Sequence, residues 1–172
     1  MLPQIQICKA ISETIVIELR KRIEIGFVKS KVHAIAEMHE DLAPKTCEAV
    51  WNCLPHEGEA RHAKWCGNEV WTMLSVSEAL KKVPNENITI YPQPGDVMYG
   101  YFPPAWEGGL RGQREAICDV AIWYGPDSPL YQIDGPHTMN HFAKVVENLD
   151  KFAEECDRMW TEGVQRIAIK RL

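Results

Sequence analysis

The side chains that could do chemistry are concentrated in the central third of this sequence. The segment between positions 61 and 124 combines ionisable groups with large aromatic rings: Arg61, His62, Trp65, Glu69, Trp71, Tyr99, Tyr101, Trp106, Trp123 and Tyr124. Aromatic walls with a few fixed polar groups are typical of pockets for small molecules. We therefore predict a ligand pocket in this part of the chain.

Three of these side chains have predicted chemical roles. An arginine at position 61 that faces a pocket would bind a carboxylate through two parallel hydrogen bonds, which lysine does not offer. His62 and Glu69 are the predicted catalytic residues, as acid and base around a bound ring or amide. The predicted ligand-binding residues are Arg61, Trp65, Trp71, Tyr101, Trp106, Asp119, Trp123 and His137.

A purely structural interpretation of the same residues stays open. The tryptophans would then fill a core, and Arg61 would pair with Glu59 or Glu69 at the surface. His62 would simply face solvent. The two interpretations differ in whether the aromatic rings surround a cavity or pack against one another.

Asp119 is unusual because it lies within the apolar run 117–124, which is typical of a strand buried on both faces. A buried charge is expensive unless it is paired. Asp119 is therefore expected either to face Arg61, Arg111 or Arg114, or to point outward at a strand edge. Cys118 beside it is interpreted as a core cysteine, since a reactive thiolate needs an electropositive and partly exposed setting.

The sequence predicts no metal site and no cofactor. His62 and Cys66 have an i, i+4 spacing, but such ligands meet only on a helix, and this segment is predicted to be a strand. The six cysteines contain no C-x-x-C pair, and most are expected to be small reduced core residues.

The elements that position these residues follow from hydrophobic periodicity. Alternation predicts strands at 13–18, 23–28, 31–38, 88–91, 97–101, 117–124, 142–146 and 164–169, with a hairpin over 60–73 around Gly67 and Asn68. Helical spacing predicts helices at 44–54, with an N-cap at Asp41 or Thr46, and at 149–160, ended by Gly163. Residues 103–114 have no period and are predicted to form a long loop. This pattern indicates a mainly β protein, a closed barrel of about eight strands capped by two helices.

Composition excludes several function classes. The net charge of −5 argues against a nucleic-acid partner, which would need a basic face. No window approaches 18 uninterrupted apolar residues, so no membrane span is predicted, and the N-terminal residues do not resemble a signal peptide. We expect a cytoplasmic protein in which residues 1–172 form a single domain.

Two motifs give the chain a resemblance to a known family. Residues 43–46, A-P-K-T, follow a strand and open a helix, and residues 134–150, D-G-P-H-T-M-N-H-F-A-K-V-V-E-N-L-D, resemble the cyclophilin run L-D-G-K-H-V-V-F-G-K-V-V-E-G-M-D. The chain therefore resembles the cyclophilins at both ends. The resemblance implies a cyclophilin-like barrel.

The middle of the chain departs from the prolyl isomerase site of that family. The F-H-R strand is replaced by E-A-R-H-A at 59–63, with Arg and His in reversed order, and His137 alone keeps its identity. Strand alternation would then turn the wrong side chain inward. The resemblance is closer to bacterial cyclophilin-like proteins that share the barrel without the isomerase site.

Three functional hypotheses follow. The first is a barrel that binds a small organic anion held by Arg61, and whether it also transforms this ligand stays open. The second is a divergent peptidyl-prolyl isomerase that retains His137. The third is a non-catalytic assembly or interaction module, favoured if Trp51, Trp71 and Trp106 make an exposed apolar patch. A homodimer is the expected assembly because symmetric pairs are common.

Overall fold

The computed structural model of the protein describes residues 20–109, 112–133 and 135–172. The predicted strand at 13–18 lies outside these residues. In chain order the elements are β1 (Arg22–Phe27), β2 (His33–Met38), α1 (Pro44–Cys53), β3 (His56–His62), β4 (Glu69–Leu74), α2 (Glu78–Lys81), β5 (Ile88–Thr89), β6 (Asp96–Phe102), a 3-10 turn (Ala105–Glu107), β7 (Ile117–Trp123), β8 (Tyr131–Gln132), β9 (Gly135–Pro136), β10 (Met139–Glu147), α3 (Leu149–Glu162) and β11 (Gln165–Arg171).

Eight of the strands close into an antiparallel barrel in the order β2-β1-β11-β3-β4-β7-β6-β10. The pairing of β10 with β2 completes the ring, so neither strand is left as an open edge. The two-residue strand β5 adds to β10, and β8 pairs with β9 in a separate short ribbon. The predicted closed barrel of about eight strands with capping helices is confirmed.

The barrel interior is filled by one face of every strand. Ile25 on β1, Val120 on β7 and Ile167 on β11 belong to the same buried cluster, and α1 and α3 add Val50 and Phe152 to it. This main core is where most of the hydrophobic stabilisation of the fold originates. It includes Tyr99 and Tyr124 of the central segment, and Tyr101 packs against it, whereas the tryptophans of that segment lie elsewhere.

A second buried cluster lies on the outer face of β4, β6 and β7. Met98, Ala121 and Trp123 alternate with residues of the main core along their strands, and Leu130 from the following segment covers them. Strand β7 is therefore buried on both faces, as its continuous apolar run predicts. The outer face of these three strands also carries the candidate site.

Helix α1 begins differently from the prediction. Its N-cap is Ala43, which makes no side-chain cap, so neither Asp41 nor Thr46 caps the helix. Glu86, from the segment before β5, takes this role instead. Its carboxylate accepts hydrogen bonds from the backbone N–H of Thr46 at 2.9 Å, from that of Lys45 at 3.3 Å, and from the Thr46 hydroxyl at 2.8 Å. The prediction failed because a cap 40 residues away in sequence leaves no local signal.

No helix among the described residues is long and apolar enough to cross a membrane. The five described cysteines, Cys47, Cys53, Cys66, Cys118 and Cys156, are all free, and four of them are buried. Cys118 is buried in the main core, as predicted, and burial raises the pKa of its thiol. Cys8 lies outside the described residues.

Candidate functional site

A pocket of about 620 Å³ opens on the outer face of the barrel. Its wall contains Arg61 from β3, Trp71 from β4, Phe102 from β6 and Asp119 from β7. Residues 63–66, residues 131–132 and the stretch between the end of α3 and β11 complete the rim. The pocket is thus built on the sheet exterior, whereas the barrel interior is occupied by the main core.

Strand register explains why these side chains meet. Trp71 of β4 lies opposite Arg61 of β3 and opposite Ala121 of β7, so all three face outward together. Glu69 lies two residues before Trp71, and Asp119 pairs with Met73, two residues after it. Because alternate residues of a strand share a face, the two carboxyl groups flank the Trp71–Ala121 pair on the pocket side.

The two carboxyl groups are almost completely buried, and one oxygen of each has no hydrogen-bond partner among the described residues. Glu69 is 4% exposed and Asp119 is 8% exposed. Glu69 Oε2 and Asp119 Oδ1 accept no hydrogen bond from any described residue. Asp119 forms no ion pair with Arg61 or Arg114, and Arg111 lies outside the described part of the chain. Such groups are rare in folded proteins because desolvation disfavours the charged form.

Burial also changes how the two groups titrate. Desolvation raises the pKa of Glu69 to about 7, and the nearby Cys66 thiol lowers it in part. Desolvation, with a smaller contribution from the charge of Glu69, raises the pKa of Asp119 well above its usual value. Perturbed carboxyl groups in a cleft are typical of functional sites. Glu69 is therefore poised to exchange a proton near neutral pH.

The wall that carries these groups is fixed by contacts between two loops. The Cys66 Sγ donates to the Tyr131 carbonyl at 2.9 Å, and the backbone N–H of Asn68 donates to Ser128 Oγ at 2.8 Å. Gly67, at φ of 68°, allows the sharp turn between these two contacts. The predicted hairpin around Gly67 and Asn68 is present, but of the two only Gly67 has a positive φ. This turn holds one side of the pocket in place.

The rim carries the predicted cation. Arg61 lines the pocket, but its guanidinium pairs with Glu59 at 2.6 Å, as the structural interpretation expected. Both partners are about half exposed, so the pair is screened by water and leaves other guanidinium N–H groups available. Lys64 and Trp65 lie beside it, and Trp65 is 59% exposed.

His62 lines the pocket with both ring nitrogens engaged. One nitrogen contacts the Ala63 carbonyl at 3.0 Å, and the other contacts the Tyr124 hydroxyl at 2.6 Å. Tyr124 in turn donates to Asp157 at 3.1 Å, and the imidazole packs against the Trp160 ring. With both nitrogens occupied, His62 has no free nitrogen for a ligand, and Glu69 is the better placed of the two predicted catalytic groups.

Four predicted binding residues lie outside the pocket lining. Trp123 is fully buried and donates to the Ser128 carbonyl at 2.9 Å. Tyr101 packs against the main core, and Trp106 is 71% exposed on the 3-10 turn. His137 stacks on Phe102, with ring centroids 5.0 Å apart, and so reaches the pocket only through that ring.

The structure adds pocket residues that the sequence did not single out. They are Met73, Phe102, Gln113, Ile117, Tyr131 and Gln132. Strand parity with Asp119 could have found Met73 and Ile117 once the register was known. Gln113 and Tyr131 have no sequence signal, because hydrogen bonds to distant backbone groups hold them: the Gln113 amide donates to the carbonyls of Phe102 and Pro103.

The candidate patch of three tryptophans is not formed. Trp71 lines the pocket, whereas Trp51 packs against the main core with Lys21 and Arg171 each 5.4 Å from its ring centre. Only Trp106 of the three is largely exposed. Within the residues described, no group of three histidine, cysteine or acidic side chains could hold a metal ion.

A closed antiparallel barrel with this order of elements defines a cyclophilin-like protein. The chain belongs to the family described as "Protein of unknown function (DUF3830)", whose profile matches residues 25–170. No functionally curated protein matches the chain significantly.

Two solved structures share the fold. One is McbB in complex with tryptophan, with a TM-score of 0.65 and 18% identity; the match covers 87% of this chain and 44% of that chain. The other is the hypothetical protein AF2241 from Archaeoglobus fulgidus, with a TM-score of 0.53, 19% identity and coverage of 90% and 96%. The chain therefore spans less than half the length of McbB and nearly all of AF2241.

Proposed function

We propose that this protein binds a small organic molecule with an aromatic or apolar body in the pocket on the outer face of β3, β4, β6 and β7. The observation that carries the proposal is an aromatic-walled pocket of about 620 Å³ with two buried carboxyl groups, each with an oxygen that no described residue satisfies. Pockets of roughly 300–1,000 Å³ with apolar walls and a few polar groups are typical of small-molecule sites.

The wall composition supports this choice. Trp65, Trp71, Phe102 and Tyr131 provide large flat surfaces, while Gln113 adds a polar group. Stacking against such rings stabilises flat ligands beyond the area that they bury. A drug-sized organic molecule suits this volume better than a peptide or a nucleic acid.

The likeness to McbB also supports an aromatic ligand. That protein is known in complex with tryptophan, and its chain contains a barrel of this kind. At 18% identity the likeness carries the fold, so tryptophan enters here only as a guide to the choice of test compounds. Arg61 at the rim remains our proposed contact for a ligand carboxylate, and Glu69 our proposed proton donor or acceptor for any reaction of the bound molecule.

A divergent prolyl isomerase is the second candidate. Arg61 faces outward onto the pocket, and His137 reaches the same wall through Phe102. An isomerase assay on proline peptides separates the two candidates, because the small-molecule proposal expects no acceleration.

A thermal-shift screen with two matched variants tests the proposed function. The library contains aromatic amines, carboxylates, amides and neutral heterocycles. Trp65→Ala removes an exposed indole that lines the pocket, and Trp106→Ala removes an exposed indole away from it. A compound at one hundred times its Kd stabilises by about 2.7 kcal/mol, which corresponds to roughly 5–10 °C for a chain of this size.

We expect the shift to be reduced in Trp65→Ala and retained in Trp106→Ala. Silence across all four compound classes, or equal shifts in both variants, would overturn the proposed site.

A further inference from the structure

The floor of the pocket presents two carboxyl groups, each with an oxygen that no described donor satisfies. Glu69 and Asp119 are each more than nine-tenths buried and both line the pocket. We infer that the ligand places a protonated amine on this floor, between Glu69 and Asp119. This inference rests on the small-molecule site proposed above. An ammonium group has three N–H donors and a positive charge, and both suit two unpartnered carboxylates.

The two carboxyl groups lie close enough for one bound cation to interact with both of them. Their positions are four residues apart along the strand direction, an offset of about 13 Å on neighbouring strands. Their side chains come close enough for the charge of Glu69 to act on Asp119. Two carboxylates that repel each other are both relieved by one positive group placed between them.

The aromatic part of the floor favours the same charge. Trp71 lies between the two acidic positions on the pocket face. A cation near the face of an indole ring is attracted by the electrons of that ring, and more strongly where water is excluded. The indole ring and the two carboxyl groups therefore both favour a positively charged ligand group.

The cations of the pocket lie at its rim. Arg61 pairs with Glu59, and Lys64 is exposed beside it. An anion at the floor would meet two acidic side chains before it met either cation. A carboxylate elsewhere on the ligand would still reach the rim, so the anion contact expected of Arg61 applies to a ligand that carries both charges.

Binding of an ammonium group must be coupled to pH. The charged and titratable groups around Glu69 come from β3, the β3–β4 loop, β7 and the β8 strand: Arg61, His62, Lys64, Cys66, Asp119 and Tyr131. A bound cation favours the ionised carboxylate, and free Glu69 has a pKa of about 7. Affinity should therefore rise as the pH is raised through 7, with a proton released on binding. An anion that accepts a proton from Glu69 would show the opposite dependence.

Isothermal titration with two indole probes tests the inference. Tryptamine carries an ammonium group, and indole-3-propionate carries a carboxylate on a body of similar size. At pH 8, we expect tryptamine to bind at least tenfold more tightly than indole-3-propionate. We also expect tryptamine to bind about tenfold more tightly at pH 8 than at pH 6. Glu69→Gln and Asp119→Asn should each weaken tryptamine binding at least fivefold. Glu69→Gln should also remove the pH dependence near 7, whereas Asp119→Asn should keep it because Glu69 still titrates.

Glu107→Gln, which removes an exposed carboxyl on the 3-10 turn, is the matched control and should leave tryptamine affinity unchanged. Tighter binding of indole-3-propionate, or unchanged tryptamine affinity in both pocket variants, overturns the inference. The proposed site stands in that case if Trp65→Ala still weakens binding. Failure of both probes at millimolar concentration also overturns it. The proposed function falls with it only if the wider screen is silent.

Discussion

At the scale of single residues, the buried carboxyl group of Glu69 lowers the stability of the fold while it offers a contact to a ligand. Burying a carboxylate without a partner costs free energy, and a well-packed amide of the same shape would avoid that cost. Asp119 repeats the feature one strand away, where its charge adds to the cost. Groups that destabilise a fold and face a pocket are best explained by a contact made outside the protein itself.

Glu69→Gln should stabilise the protein at high pH and have little effect at low pH. The folded-state pKa of about 7 lies above the ordinary value of 4.5, so the unfolded chain loses this proton first. Wild-type stability therefore falls as the pH rises from about 4.5 to about 7, and stays lowered above that. Each unit of pKa shift corresponds to about 1.4 kcal/mol, so the variant should gain about 3 kcal/mol over wild type at pH 8.

Urea unfolding of both proteins at pH 4.5 and pH 8 measures this difference. Glu107→Gln again controls for the loss of a carboxyl group. An equal or smaller advantage of the Gln variant at pH 8 than at pH 4.5 would show that Glu69 is not desolvated in the folded state.

Residue types alone located part of the candidate site. The structure brings Arg61, Trp65, Glu69, Trp71 and Asp119 together, as the density of ionisable and aromatic groups indicated. Trp123 has the same strand parity as Asp119, but its indole N–H donates to the Ser128 carbonyl five residues later, and the ring is buried with Leu130 of the segment after β7. Strand parity gives the face of a side chain, and it does not report that the chain folds back over that face.

At the scale of elements, α1 depends on a carboxylate that is remote in sequence. Glu86 satisfies two free N–H groups in the first turn, and Asn140 donates to the Thr46 hydroxyl at 2.9 Å to complete a network. A negative group at this position also interacts favourably with the helix dipole. The helix is thus joined to the segment before β5 and to β10.

Glu86→Ala should destabilise the protein by about 1–2 kcal/mol, since a capping interaction and a charged hydrogen bond are lost together. Asp41→Ala, at the position that the sequence favoured as a cap, should cost less than about 0.5 kcal/mol because its contact is an exposed ion pair with Arg20. Urea unfolding at pH 7 compares the two variants. A larger effect of Asp41→Ala than of Glu86→Ala would instead support Asp41 as the cap of this helix.

Hydrophobic periodicity predicted most elements but missed the start of β3. Residues 56–59 carry no buried apolar side chain, and only Ala60 of the strand is fully buried. Backbone pairing with β11 and β4 holds this strand instead. A polar strand between two others has no alternation to detect, so the predicted hairpin began at residue 60.

At the scale of the whole molecule, the barrel carries its own pocket. AF2241 is covered over 96% of its length, so a protein of this fold can consist of little else, whereas McbB contains the fold within a longer chain. All the walls described above come from strands, loops and the end of α3 of this one barrel. We therefore expect ligand binding to stabilise the entire fold.

Saturation with any compound found in the screen should raise one cooperative unfolding transition by roughly 5–10 °C, because the ligand binds only the native pocket. Strands β1, β2, β4 and β7 all contribute to the main core, so residues of β1 and β2 that exchange only through global unfolding should share the stabilisation by the ligand. Calorimetry and hydrogen exchange should show added protection in β1 and β2 as well as in the pocket strands.

The control variant Trp106→Ala should behave like the wild-type protein in both measurements. Protection confined to residues 63–68 and 126–133, with an unchanged melting temperature, would mean that ligands bind the loops without engaging the floor at Glu69 and Asp119.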